Sequence, residues 1–178
     1  MNYLTDSLLI SNPAINDNPK FSAIAGSAIY IIEHTDEGAI GIGLNKNFSK
    51  PMNEIAEILP LLSKVDPETL LTSKVIMGGP LFDETPWILG RNADGYERSV
   101  RNKVLALNFA PEAFKQNQPA YFSICGVGSF GWSAGQLENE MAHFLWHHFP
   151  ATKDVLEGIP FGPEVRGAVQ TLLAMKFD

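Results

Sequence analysis

The chain has 178 residues, 45% of them hydrophobic and 19% charged, with a net charge of −7. That length and balance describe one globular domain able to bury a full core, and they exclude a disordered chain. The 13 Lys and Arg are scattered, with no cluster denser than Lys46 to Lys50, and phosphate neutralisation needs clustered cations, so direct nucleic-acid binding is disfavoured. The single cysteine, Cys125, rules out an internal disulfide and fits a reducing compartment. It closes an apolar run, where a small buried thiol is expected. "MNYLTDSLLISNP" has no basic leading region and is interrupted by Asp6, so it does not read as a signal peptide. The longest apolar run, 23–32, contains Gly26 and Ser27 and is too short to cross a membrane. A cytoplasmic location is expected, with no membrane contact.

In chain order, Ser7–Ser11 predicts a short strand closed by Asn12-Pro13. "SAIYIIE" (27–33) and "AIGIGLN" (39–45) predict two strands joined as a hairpin through "HTDEG", with Gly38 at its tight point. Gly41 and Gly43 alternate with Ile40, Ile42 and Leu44, leaving one face bare for close approach by another backbone or a ligand. "KPMNEIAEILP" (50–60) and "DPETLL" (66–71) predict helices, the second capped by Asp66. "KVIMGGP" (74–80) predicts a strand running into a sharp turn. Further strands are expected at 86–90, 103–108 and 120–125, with a helix at 110–116. From Ser133 to Phe149, Leu137, Met141, Phe144, Leu145 and His148 recur at helical spacing, and Ser133-x-x-Gln136 has the form of a capping box. A last helix is expected over 163–177. Hairpins mixed with crossovers imply an α+β fold with a mixed sheet.

Residues 125–140, "CGVGSFGWSAGQLENE", satisfy two catalytic patterns at once. Gly126-x-Gly128-x-x-Gly131 has the spacing of a dinucleotide-binding turn. Too little chain follows it to complete that fold, and Phe130 and Trp132 crowd the place of a pyrophosphate. Gly131-Trp132-Ser133-Ala134-Gly135 has the spacing of a nucleophile elbow. None of His34, His143, His147 and His148 follows Asp154, as the hydrolase order requires. His143 would stand roughly 15 Å along the same helix from Ser133, so only His34 is left as a base. Ser133 as a helix N-cap accounts for the residue without catalysis. Glu140, His143 and His147 share one helical face at metal-ligand spacing. A solvated face opposite the core stripe, with His147 near the helix C-terminus, is the simpler account, and no metal is expected. Gly78-Gly79 can present main-chain N–H groups to an anion, although a tight turn ending in Pro80 is the simpler account.

Taken together, "YIIEHTDEGAIGIGLNK" (30–46), "MGGPL" (77–81) and "GVGSFGWSAGQLENEMAHFLW" (126–146) resemble the signature segments of the YqgE/AlgH family of bacterial proteins. The matching positions are Glu33-His34, Gly38-Ala39-x-Gly41, Asn45-Lys46, Gly78-Gly79-Pro80, Trp132, Gly135-Gln136-Leu137-Glu138-x-Glu140 and Trp146. The chain departs from the family pattern at "FSAIAGSAIY", at "NKNFSKP" and at Gly90. The resemblance implies a single domain over 1–178, α+β, in which a mixed, strongly bent sheet folds toward a pseudo-barrel with helices packed outside. It also implies no established activity and no cofactor, and one branch carries the label of a transcriptional regulator linked to exopolysaccharide synthesis. The expected function is therefore a non-enzymatic binding protein, or an indirect regulator of transcription, acting through an unidentified protein or small-molecule partner. The alternative is a serine hydrolase or esterase using Ser133 with His34. The candidate binding cleft comprises Glu33, His34, Asn45, Lys46, Gly78, Gly79, Trp132, Gln136, Glu138 and Glu140.

Overall fold

The computed structural model describes residues 3–46, 75–91, 105–108 and 123–151, with helical positions 167, 168, 171 and 174. The helices expected at 50–60, 66–71 and 110–116, and most of that at 163–177, lie outside the described residues. The chain divides into two compact units, 1–45 with 130–178 and 46–129. The described strands form a mixed sheet with few helices, an α+β arrangement. They follow an open path rather than a closed barrel.

In the first unit, β1 (Ser7–Ser11) is buried at every position. Asn12 ends it: Oδ1 accepts from the Ala14 N–H at 3.0 Å, and Pro13 opens a 3-10 turn over Pro13–Ile15. Asn18-Pro19 repeats the device at Pro19–Phe21, with Oδ1 accepting from the Lys20 N–H. β2 (Ala28–Thr35) pairs with β1 and returns as β3 (Gly38–Gly43). The hairpin turn is held by Thr35 Oγ1, which accepts from the Glu37 N–H at 3.1 Å. A bulge at Ile32 shifts the register between Ile31 and Glu33. The bare face of β3 is covered by β2 itself. A Cβ on Gly41 would lie 2.7 Å from Ile29 Cγ2 and 2.9 Å from the Tyr30 carbonyl. Tyr30 is buried and donates its hydroxyl to Asp6, and burial together with that carboxylate holds the phenol far above its usual range.

The second unit holds β4 (Val75–Met77), β5 (Leu81–Arg91), β6 (Leu105–Asn108) and the first part of β7 (Ser123–Ser133). β4 is parallel to β7, β5 is antiparallel to it, and β6 borders β5. The glycine turn expected after residue 125 is absent, because β7 runs straight through those glycines. Their role is packing. A Cβ on Gly126 would enter the ring of Trp87, which is fully buried, and would stand 2.7 Å from the Ile76 carbonyl. A Cβ on Gly78 would strike the Gly128 carbonyl, and one on Gly128 the Gly79 carbonyl. Trp87 Nε1 donates to the Gly128 carbonyl at 2.8 Å. The four glycines make a slot for one indole.

The last part of β7 belongs to the first unit, where it pairs with β3. The long helix expected from Ser133 to Phe149 is also corrected. Helix α1 covers only Gln136–Ala142, and Trp146–Pro150 forms β8, antiparallel to β1. The helix stops in a Schellman arrangement: the Phe144 N–H bonds the Met141 carbonyl, and the Leu145 N–H bonds the Glu140 carbonyl. Phe144 takes the left-handed conformation at φ 58 and is 75% exposed, so it is not on a buried face. Five residues of β1 offer partners to β8, and they outweigh further helical turns. Asn12 secures the junction, its N–H bonding the Leu145 carbonyl and its Nδ2 the Phe144 carbonyl, both at 2.8 Å. Leu4, Leu9, Ile29, Ile31, Trp132, Leu137 and Trp146 form the core between this sheet and α1.

Candidate functional site

Cross-strand pairing places His34 of β2, Ala39 of β3 and Trp132 of β7 in one row. Residues directly opposite in a sheet share a face, and this row meets α1. His34 is 3% exposed and fully engaged. Its Nδ1 accepts the Leu4 N–H at 2.9 Å, so the neutral ring carries its proton on Nε2 and donates it to Glu138 Oε1, also at 2.9 Å. The Thr5 hydroxyl oxygen accepts the His34 N–H, and Tyr3 stands edge-on to the imidazole at 5.1 Å. Glu138 lies in the first turn of α1. Its own main-chain N–H, and then His34, hold its carboxyl below the ordinary glutamate value against the opposing effect of burial.

Two residues on, Glu140 gathers three donors. Its Oε2 accepts Trp132 Nε1–H at 2.9 Å and Trp146 Nε1–H at 2.7 Å, while Oε1 accepts Gln136 Nε2–H at 3.2 Å. The two indoles cross edge to face at 6.3 Å. Gln136 Oε1 in turn accepts the Ser133 N–H at 3.0 Å and the Ser133 hydroxyl at 3.3 Å. Only the backward half of the expected capping box is present, because Gly135, at φ 76, is the N-cap in place of Ser133. His34 with Glu138, and Trp132 with Gln136 and Glu140, thus form two hydrogen-bonded groups that join α1 to the sheet.

The other expected residues lie elsewhere. Asn45 is at the opposite end of the hairpin, where Oδ1 accepts the Ala28 N–H and Nδ2 donates to the Gly26 carbonyl. Lys46, Gly78 and Gly79 belong to the second unit. There the Lys46 carbonyl accepts the Met77 N–H, the Gly78 N–H bonds the Val127 carbonyl, and both glycines pack against Gly128. Glu33 lines an open hollow of about 250 Å³ at the hairpin tip, with Thr35, Glu37, Gly38, Ala39, Ile40 and Trp132.

The two enzyme patterns dissolve in this geometry. Gly126 to Gly131 is strand, with no helix N-terminus behind it to receive a phosphate. Ser133 is the last residue of β7 and is absent from the strained, positive-φ positions. Both nitrogens of His34 are engaged, leaving none to receive a serine proton. The metal-spaced trio separates: His143 is the helix C-cap, with Nδ1 bonded at the Asn139 carbonyl, and His147 is on β8. Among the described residues, no group of three His, Cys, Asp or Glu is placed to hold a metal ion.

Residues 8–172 match the AlgH-like family. The chain belongs to that family. A UPF0301 protein of Shewanella woodyi is 31% identical over 185 residues, covering 97% of this chain and 92% of the relative. One from Bordetella petrii is 32% identical, covering 81% and 71%. The solution structure of the AlgH protein from Pseudomonas aeruginosa superposes with a TM-score of 0.74 at 25% identity, covering 96% of this chain and 88% of that one. A crystal structure from Corynebacterium diphtheriae shares the fold at a TM-score of 0.61 and 21% identity. No described helix of this AlgH-like chain is long and apolar enough to cross a membrane.

Proposed function

We propose that this AlgH-like protein is a cytoplasmic, non-enzymatic binding protein that acts through a protein or small-molecule partner, with any effect on transcription exerted indirectly. The observation that carries this reading is the commitment of His34: Leu4 occupies Nδ1 and Glu138 occupies Nε2. A general base needs a free nitrogen within reach of the proton it takes. The same polar groups that suggest chemistry instead fix α1 and β8 to the sheet, and beside them the hairpin tip leaves an open hollow for a partner. The net charge of −7 argues against direct contact with DNA phosphates.

Two experiments test the reading. A fluorophosphonate probe is expected to leave the native protein unlabelled; labelling that disappears in Ser133→Ala would establish the hydrolase instead. A thermal-shift screen against nucleotides, metabolites and short peptides is expected to find a stabilising ligand, since one at 100 times its Kd adds about 2.7 kcal/mol. Mapping that ligand to residues 33–40 supports the reading, and mapping it away from the hairpin tip counts against the cleft.

A further inference from the structure

The hollow at the β2–β3 tip has a definite chemistry. Its floor is low because Gly38 and Ala39 carry almost no side chain, and Gly38 must stay bare: a Cβ there would strike the Trp132 carbonyl. Its lining combines Ile40 with Glu33, Glu37 and Thr35, while Trp132, whose indole is buried in the core on the opposite face of the sheet, borders it beside Gly38. Glu33 and Glu37 are both exposed, and neither forms an ion pair among the described residues, where the single bridge is His34 to Glu138. At about 250 Å³ and open to solvent, the hollow is below the roughly 300–1,000 Å³ of enclosed metabolite pockets. One long side chain fits it.

Resting on the binding-protein reading above, we propose that this hollow receives a lysine or arginine side chain presented by an extended segment of a protein partner. Charge complementarity selects the occupant. An aliphatic stem lies along Ile40, while the cationic head reaches the two carboxylates. A neutral or acidic side chain would leave both carboxylates unpaired, and an isolated small amine would forgo the contacts a continuing chain makes beside the hollow.

The test is a titration of the 15N-labelled protein, followed by amide shifts. The probe is a blocked pentapeptide with one arginine flanked by glycines, compared with lysine, norleucine and glutamate counterparts and with magnesium chloride alone. The arginine and lysine peptides should shift the amides of residues 33–40, and about 0.5 M salt should suppress the shifts by screening. The exposed double variant Glu33→Gln/Glu37→Gln should bind at least about tenfold more weakly with an otherwise unchanged spectrum. Equal shifts from norleucine, reproduction of the shifts by magnesium alone, unchanged affinity in the double variant, or no shift at all would each overturn the proposal. A neutral or acidic compound mapping to 33–40 would remove the basic occupant and leave the binding-protein reading intact. Fluorophosphonate labelling at Ser133 would remove that reading whatever the peptides do.

Discussion

Glu140 is the residue on which the arrangement around α1 most depends. Its carboxylate satisfies the indole N–H groups of Trp132 and Trp146, which are 7% and 3% exposed. Replacing it with alanine leaves both donors without an acceptor, at about 1–3 kcal/mol for each buried group. Glu140 is only half-buried, so water can reach part of the vacated space, and the lower part of that range applies. The expected loss is about 3 kcal/mol. At this chain length each kcal/mol moves the midpoint by about 2–4 °C, so Glu140→Ala should unfold roughly 6–12 °C below the native protein. Glu140→Gln keeps one carbonyl oxygen for both indoles and loses the charge and the Gln136 contact, for about 1 kcal/mol. Urea denaturation followed by far-UV circular dichroism measures both variants without relying on the perturbed tryptophans. A Glu140→Ala loss below about 0.5 kcal/mol, or a Glu140→Gln loss equal to it, would refute the reasoning. The double change Trp146→Phe/Glu140→Ala should cost less than the sum of its parts, because one donor leaves with the shared acceptor and only the Trp132 N–H stays stranded.

Phe144→Gly should stabilise the protein. A left-handed non-glycine residue costs about 1–2 kcal/mol, the extra freedom of glycine in the unfolded chain returns about 0.4–1, and the ring is 75% exposed. A midpoint rise of about 2 °C is expected, and a fall would mean that the ring packs usefully. Gly126→Ala should cost about 3 kcal/mol or more, since its methyl would enter the buried Trp87 ring; near-native stability by urea unfolding would contradict the slot. Glu138 has its folded pKa lowered, so its contribution is present above the unfolded value near 4.3 and is lost as pH falls through the folded one. The stability gap between the native protein and Glu138→Gln should therefore close below about pH 4, and a gap constant from pH 7 to 3 would rule that linkage out.

Where local chemistry decides the structure, the chain is legible. The Asn12-Pro13 punctuation, strand β1 and the β2–β3 hairpin follow from neighbours a few residues apart. β7 is not readable that way, because Gly126 and Gly128 are explained only by Trp87 and Gly79, far off in sequence. β8 hides inside a helical pattern, because its stop signal is Phe144 where a glycine or asparagine is usual. Its aromatic residues suit strand and helix face alike. At the site, the family resemblance names His34, Trp132, Glu138 and Glu140 among ten residues without saying which of them pair. The Leu4 N–H that occupies His34 is main chain and leaves no mark in side-chain identity. Asn45 went astray for a topological reason: residues beginning and ending an antiparallel hairpin meet at the end away from its tip.

The tautomer of His34 tests the central claim most directly. A long-range 1H–15N correlation spectrum of the native protein at neutral pH reports which ring nitrogen carries the proton. The account predicts a protonated Nε2 and a bare Nδ1 that accepts the Leu4 amide, unchanged in Ser133→Ala. A proton on Nδ1 with Nε2 bare would contradict it, because His34 would then hold a free base and the hydrolase reading would return.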